Sequence, residues 1–89
     1  MNEHIIELYI TGNSNRSEIA INCIQKLCES ELKSGYKLEV IDVIEMPDIA
    51  EKEKVLATPT LIKRIPPPVR RLVGDLSDIE KVKYYLDIK

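Results

Sequence analysis

Neither tryptophan nor phenylalanine occurs in the chain, so four tyrosines supply all of its aromatic surface. Two cysteines, Cys23 and Cys28, are too few for the disulfide framework of a small secreted domain, and a reducing cytosol keeps them as thiols. The single histidine, His4, has no partner at a recognisable spacing, which argues against a histidine-ligated metal or a His-dependent triad. Its place near the N-terminus reads as a frayed end without a role. No apolar run approaches the roughly twenty residues of a membrane span, and Met1-Asn2-Glu3-His4 does not open a basic-then-apolar leader. The expected compartment is the cytosol. A net charge of -2 gives no global attraction to nucleic acid or to an anionic membrane, so any interaction must be local.

What is present fits one small globular domain over residues 1–89, with 44% hydrophobic and 31% charged residues. Ile5-Ile6-Glu7-Leu8-Tyr9-Ile10 reads as a central strand stopped by Thr11-Gly12-Asn13. Ser14 or Asn15 caps a helix whose inner face carries Ala20, Cys23, Ile24, Leu27 and Cys28, running to about Ser34 and terminated by Gly35. The run Tyr36 to Val43 alternates and then becomes apolar, as in a strand moving from a half-exposed to a buried region. Pro47 to Lys54 is a short helix with Ile49, Ala50 and Val55 on one side. Near the end, Ser77 and Glu80 form a capping box for a last helix that packs Ile79, Val82 and Leu86 and ends at Lys89.

Val55 to Gly74 satisfies two structures. As strands, Thr60 to Ile65 and Val69 to Val73 flank the Pro66-Pro67-Pro68 corner. As helix, the prolines start a short turn through Val69 to Val73 that Gly74 stops. The β-branched Val69 and Val73, and the extended Thr58 before Pro59, favour the hairpin. The resulting order, βαβαββα, is a thioredoxin-like α/β plan with a four-stranded mixed sheet flanked by helices. That plan places a cis-proline at Pro59.

A thioredoxin-type redox enzyme needs a low-pKa thiolate at the start of the first helix, and that place holds Gly12-Asn13-Ser14-Asn15-Arg16. Cys23 and Cys28 lie inside the helix and read as small core hydrophobes. The Gly12 segment lacks the glycine patterns of nucleotide-binding loops and reads as a capped turn. Lys63, Arg64, Arg70 and Arg71 are the one local excess of positive charge, and both a solvated face and a docking patch fit them. Without aromatics among them, they make no stacking platform for single strands.

Ala57-Thr58-Pro59-Thr60-Leu61, Pro66-Pro67-Pro68-Val69-Arg70-Arg71 and Gly74-Asp75-Leu76-Ser77 closely resemble the KaiB family of circadian clock proteins. So do Leu8 to Asn13 and Val40 to Val43, and the likeness covers nearly the whole chain. The resemblance implies a non-enzymatic, cofactor-free binding module for the hexameric clock ATPase KaiC, opposing KaiA and competing with the clock output histidine kinase. It also implies two folds. One is the monomeric thioredoxin-like form; the other is a tetrameric ground state of order βαββααβ. Carried over by residue, Lys63, Arg64, Arg70 and Arg71 match the family's basic segment, Tyr36 and Leu38 lie on the strand offered to KaiA, and Gly74 and Asp75 belong to the fold-switch region. Two departures stand out: the long acidic tail of many members is missing, which favours the monomer, and Glu39 replaces a common basic residue. A thioredoxin-like adaptor or a stress-related paralogue outside the clock is the alternative reading.

Overall fold

The computed structural model describes residues 3–88. Its elements are β1 (His4–Ile10), α1 (Asn15–Glu31), β2 (Tyr36–Asp42), α2 (Pro47–Lys52), β3 (Thr60–Ile65), β4 (Arg70–Val73) and α3 (Ile79–Tyr85). The order βαβαββα is the one expected, with the hairpin and not the helix over the ambiguous stretch. The strands form one mixed sheet in the order β2-β1-β3-β4. β1 runs parallel to β2 and antiparallel to β3, and β3 pairs antiparallel with β4.

Strand alternation divides the sheet into two unequal faces. On one, Ile6, Leu8, Ile10, Leu61 and Leu72 meet Ala20, Ile24, Leu27 and Cys28 of α1 and Val82 and Leu86 at α3. On the other, Tyr9, Ile41 and Ile62 form a small cluster closed by Val43 and Val55 beside α2. The peptide bond before Pro59 is cis as expected, and those before Pro66 and Pro68 are cis as well.

Several boundaries differ from the sequence reading. The first helix ends at Glu31, and its left-handed terminator is Lys33 (φ 54°), not Gly35. The Cys28 carbonyl accepts from both Leu32 and Lys33, while the Gly35 carbonyl is used by the His4 amide at 3.0 Å. Ser14 caps the start, its Oγ accepting from the Ser17 amide at 3.1 Å. Buried positions on α1 include Ser17 where the reading placed Cys23, which is half-exposed. The last helix is capped by Asp78, whose Oδ1 accepts from Lys81 N at 3.2 Å. Ser77 instead donates its amide to Asp75 Oδ1 at 2.9 Å, so the expected Ser77–Glu80 box does not form. That helix stops at Tyr85, and the expected end at Lys89 lies outside the described residues.

β2 does not become buried along its length. It is an outer strand, and only Ile41 is enclosed while Val40 remains 41% exposed. Within the α2 segment, Ala50 and Val55 turn inward and Ile49 outward. At the far end, Ile79 lies on the rim while Val82 and Leu86 are fully enclosed.

Leu86 and Leu56 are the same residue type in opposite settings, the first wholly buried and the second 96% exposed. Leu86→Ala is expected to cost about 2–5 kcal/mol in chemical denaturation, and Leu56→Ala less than about 0.5 kcal/mol.

Candidate functional site

The four cations singled out in the sequence do not form one patch. In the β3–β4 register Lys63 faces Arg70 and Ile62 faces Arg71, so adjacent residues of each strand point to opposite faces. Lys63 and Arg70 turn toward α3, Arg64 and Arg71 toward α2.

On the α3 side, Lys63 is only 1% exposed, and its ammonium is paired with the Asp87 carboxylate just past the helix. That pair is charge-assisted and mostly out of water, where an ammonium without a counter-ion would be expensive. The Asp87 carboxyl is held below the usual aspartate range, first by its bond to Lys63, then by the nearby charges of Arg70 and His4. Arg70 lies over the Tyr84 ring, 5.1 Å from its centroid, a cation–π contact between β4 and α3. His4, read as frayed, is buried instead, and its Nε2 donates to the Leu86 carbonyl at 2.8 Å. The reason is the register: β1 begins at His4, on the same face as Ile6, under the end of α3.

On the α2 side, Arg64 bridges two carboxylates. Its Nη2 lies 2.9 Å from Glu7 Oε1, and it also pairs with Glu53. Glu53 is held below the usual glutamate range chiefly by that bond, and Arg64 is held firmly protonated in return. Tyr9 donates its hydroxyl to Glu7 at 3.0 Å, and burial, then Glu7, pushes the phenol up to about 12. Arg71 donates to the carbonyls of Glu53 at 2.7 Å and Lys54 at 3.1 Å, beside the left-handed Lys54 (φ 56°) where α2 ends. A guanidinium at the negative end of a helix both satisfies free carbonyls and opposes the dipole.

The C-terminal end of β1 is closed by short polar links. The Thr11 and Thr58 hydroxyls lie 2.6 Å apart, Asp42 Oδ1 accepts from Gly12 N and Ile44 N, and Gly74 N (φ 102°) donates to the Pro59 carbonyl at 3.0 Å. The start of α1 at this end presents Ser14, Asn15 and Arg16 and no thiol. Cys28 is buried, and burial, then Glu29, pushes its thiol up to about 11. Such a thiol is protonated at neutral pH and inert as a nucleophile. Tyr36 and Leu38 sit on the outer strand, half-buried against the larger core. Gly74 and Asp75 form the turn between β4 and α3. Among the described residues no helix is long and apolar enough to cross a membrane.

Glu7, Glu53, Asp87, His4 and Tyr84 are the partners that sequence reasoning missed. Glu7 alone left a signal, as a lone charge in the middle of an apolar strand. The others lie far from their cations along the chain.

Comparison with known proteins places these features. The KaiB domain family matches residues 7–88. Circadian clock protein KaiB3 of Synechocystis sp. is 52% identical over 88 residues, covering 99% of this chain and 86% of that protein. Among solved structures, the N-terminal domain of Synechococcus elongatus SasA superposes with a TM-score of 0.78 at 22% identity, covering 98% of this chain and 86% of that one. Oxidised mitochondrial thioredoxin 3 from Saccharomyces cerevisiae gives a TM-score of 0.76 at 17% identity, covering 98% and 79%. These two establish the thioredoxin-like fold.

Because the Asp87 and Glu53 carboxyls are depressed in the folded state, their contribution is complete above the ordinary values of 3.8 and 4.5 and is lost as pH falls through the folded ones. Stability measured by denaturant should therefore drop below about pH 4, and Asp87→Asn should flatten that drop. At pH 7 the same variant, which leaves Lys63 buried without its carboxylate, should lose about 3 kcal/mol. Thiol titration of the folded chain at pH 8 should modify Cys23 readily and Cys28 only after denaturation.

Proposed function

The chain belongs to the KaiB family, and we propose that it acts as a non-enzymatic clock regulator that docks on a KaiC-type ATPase hexamer and modulates its phosphorylation state. The observation that carries this reading is coverage: the family match runs through both halves of the fold, and about half of all positions are shared with a named clock protein. The inert Cys28 thiol and the absence of any thiol at the start of α1 support action by binding and not by redox chemistry.

The docking surface proposed is the β3–β4 hairpin with α2. Val69 and Val73 are exposed there, Arg71 is exposed, and Arg70 is half-exposed. Lys63 and Arg64 serve this surface indirectly, by holding the hairpin against α3 and α2. The outer edge of β2, with Tyr36 and Leu38, is the strand offered to KaiA, since its far flank pairs with nothing in the sheet. The fold shared with the SasA N-terminal domain supports competition with the clock output kinase for one docking surface.

The described fold is the thioredoxin-like one, which in this scheme acts as a monomer. The second state, the tetrameric ground fold, is proposed to involve the Gly74-Asp75 turn, where Gly74 alone relieves a left-handed backbone between β4 and α3. A stress-related role outside the clock is the competing reading; it shares the fold but not the ATPase partner.

Reversing both charges with Arg70→Glu and Arg71→Glu should weaken binding to a KaiC hexamer about tenfold or more and reduce its salt dependence, read by fluorescence anisotropy. Arg71→Lys separates docking from folding. It keeps the charge while losing the two-carbonyl cap on α2, so it should lower stability and leave affinity nearly intact. Unchanged affinity in the double variant would remove the hairpin from the interface.

A further inference from the structure

At the end of the sheet beneath α3, three basic side chains from three strands converge: His4 of β1, Lys63 of β3 and Arg70 of β4. Asp87 is the one carboxylate ion-paired with this group among the described residues. Two nitrogens, His4 Nδ1 and Arg70 Nε, are buried there without a hydrogen-bond partner. An orphaned buried polar atom in a native protein calls for an explanation: Arg70 Nε is a donor that calls for an acceptor, and His4 Nδ1, a lone pair once Nε2 donates to Leu86, calls for a hydroxyl donor, so a group with both is indicated. We propose that His4, Lys63 and Arg70 form a nook that binds a small tetrahedral oxyanion of the phosphate class, with Asp87 as its internal occupant, displaced when the oxyanion binds.

The charge count selects phosphate over a simple carboxylate. Lys63 and Arg70 are both cationic, whereas Asp87 brings one negative charge. A hydrogen phosphate dianion accepts from Lys63 Nζ and Arg70 Nε and donates its own hydroxyl to His4 Nδ1, which one carboxylate does not. Asp87 is placed to give way. It sits past the end of α3 with φ 58°, and its side chain is 36% exposed, whereas Lys63 behind it is closed off. Its displacement also loosens Leu86, the acceptor of the His4 bond, so occupancy of the nook is coupled to the docking of the last turn of α3. The proposal is independent of the clock partner.

The test is thermal unfolding at pH 7 in sodium phosphate against sodium chloride and sodium acetate of equal ionic strength. For the unsubstituted chain, phosphate should raise the midpoint by more than either control. In Asp87→Asn, where nothing competes for Lys63, the phosphate-specific shift should be larger by roughly twofold or more. Arg70→Gln and Lys63→Met should lose it; if Lys63→Met does not fold, Arg70→Gln alone carries this arm. Amide resonances of His4, Lys63, Arg70, Leu86 and Asp87 should move saturably with phosphate. Equal shifts in phosphate and chloride would overturn the site. A response to acetate as large as that to phosphate would overturn the phosphate assignment, and an Asp87→Asn response no larger than that of the parent would overturn the competition.

Discussion

Consecutive residues of a strand point to opposite faces, and this chain applies that rule to two consecutive pairs of cations. Lys63 and Arg70 reach one layer of the fold, Arg64 and Arg71 the other. The hairpin is thereby tied to α3 through Asp87 and Tyr84 and to α2 through Glu53 and its neighbouring carbonyls. The cluster of apolar side chains on the α2 face is small, so the ionic ties there carry a larger share of the arrangement than they do beneath α1.

Much of this was legible in the letters. The apolar run of β1, the cap at Ser14, and the β-branched Val69 and Val73 with Thr58 before Pro59 pointed to the element order, because each is a local signal that tertiary packing reinforces. Placement along the elements was less legible. Gly35 looked like the helix terminator, yet Lys33 takes the left-handed position, since the next residues must deliver Gly35 to the His4 amide. Ser77 looked like a cap, but Asp75 captures its amide first. β2 looked half-buried by its pattern, and only the strand order shows that one of its flanks has no neighbour.

The cations illustrate the limit most clearly. Their sequence proximity suggested one patch, and the pleat separates them. Nothing in a linear reading gives Lys63 a partner twenty-four residues away or returns His4 to the end of the last helix. Of the two thiols one was readable: Cys28 lies on the inner stripe of α1, and burial raises its pKa as it would for any enclosed thiol, whereas Cys23, read the same way, is half-exposed. The start of α1 holds Ser14, Asn15 and Arg16 in place of a thiol.

The sheet also has two open borders, β2 and β4, each presenting unpaired backbone amides and carbonyls to water. Such borders invite self-association into stacked ribbons. Lys37 and Glu39 on the first border are exposed, and the second is four residues long with two arginines, so uncontrolled polymerisation is opposed by charge and brevity. Recognition by strand addition at either border must therefore come from a ribbon with complementary charges, and promiscuous joining is filtered out by electrostatics before any side chain is read.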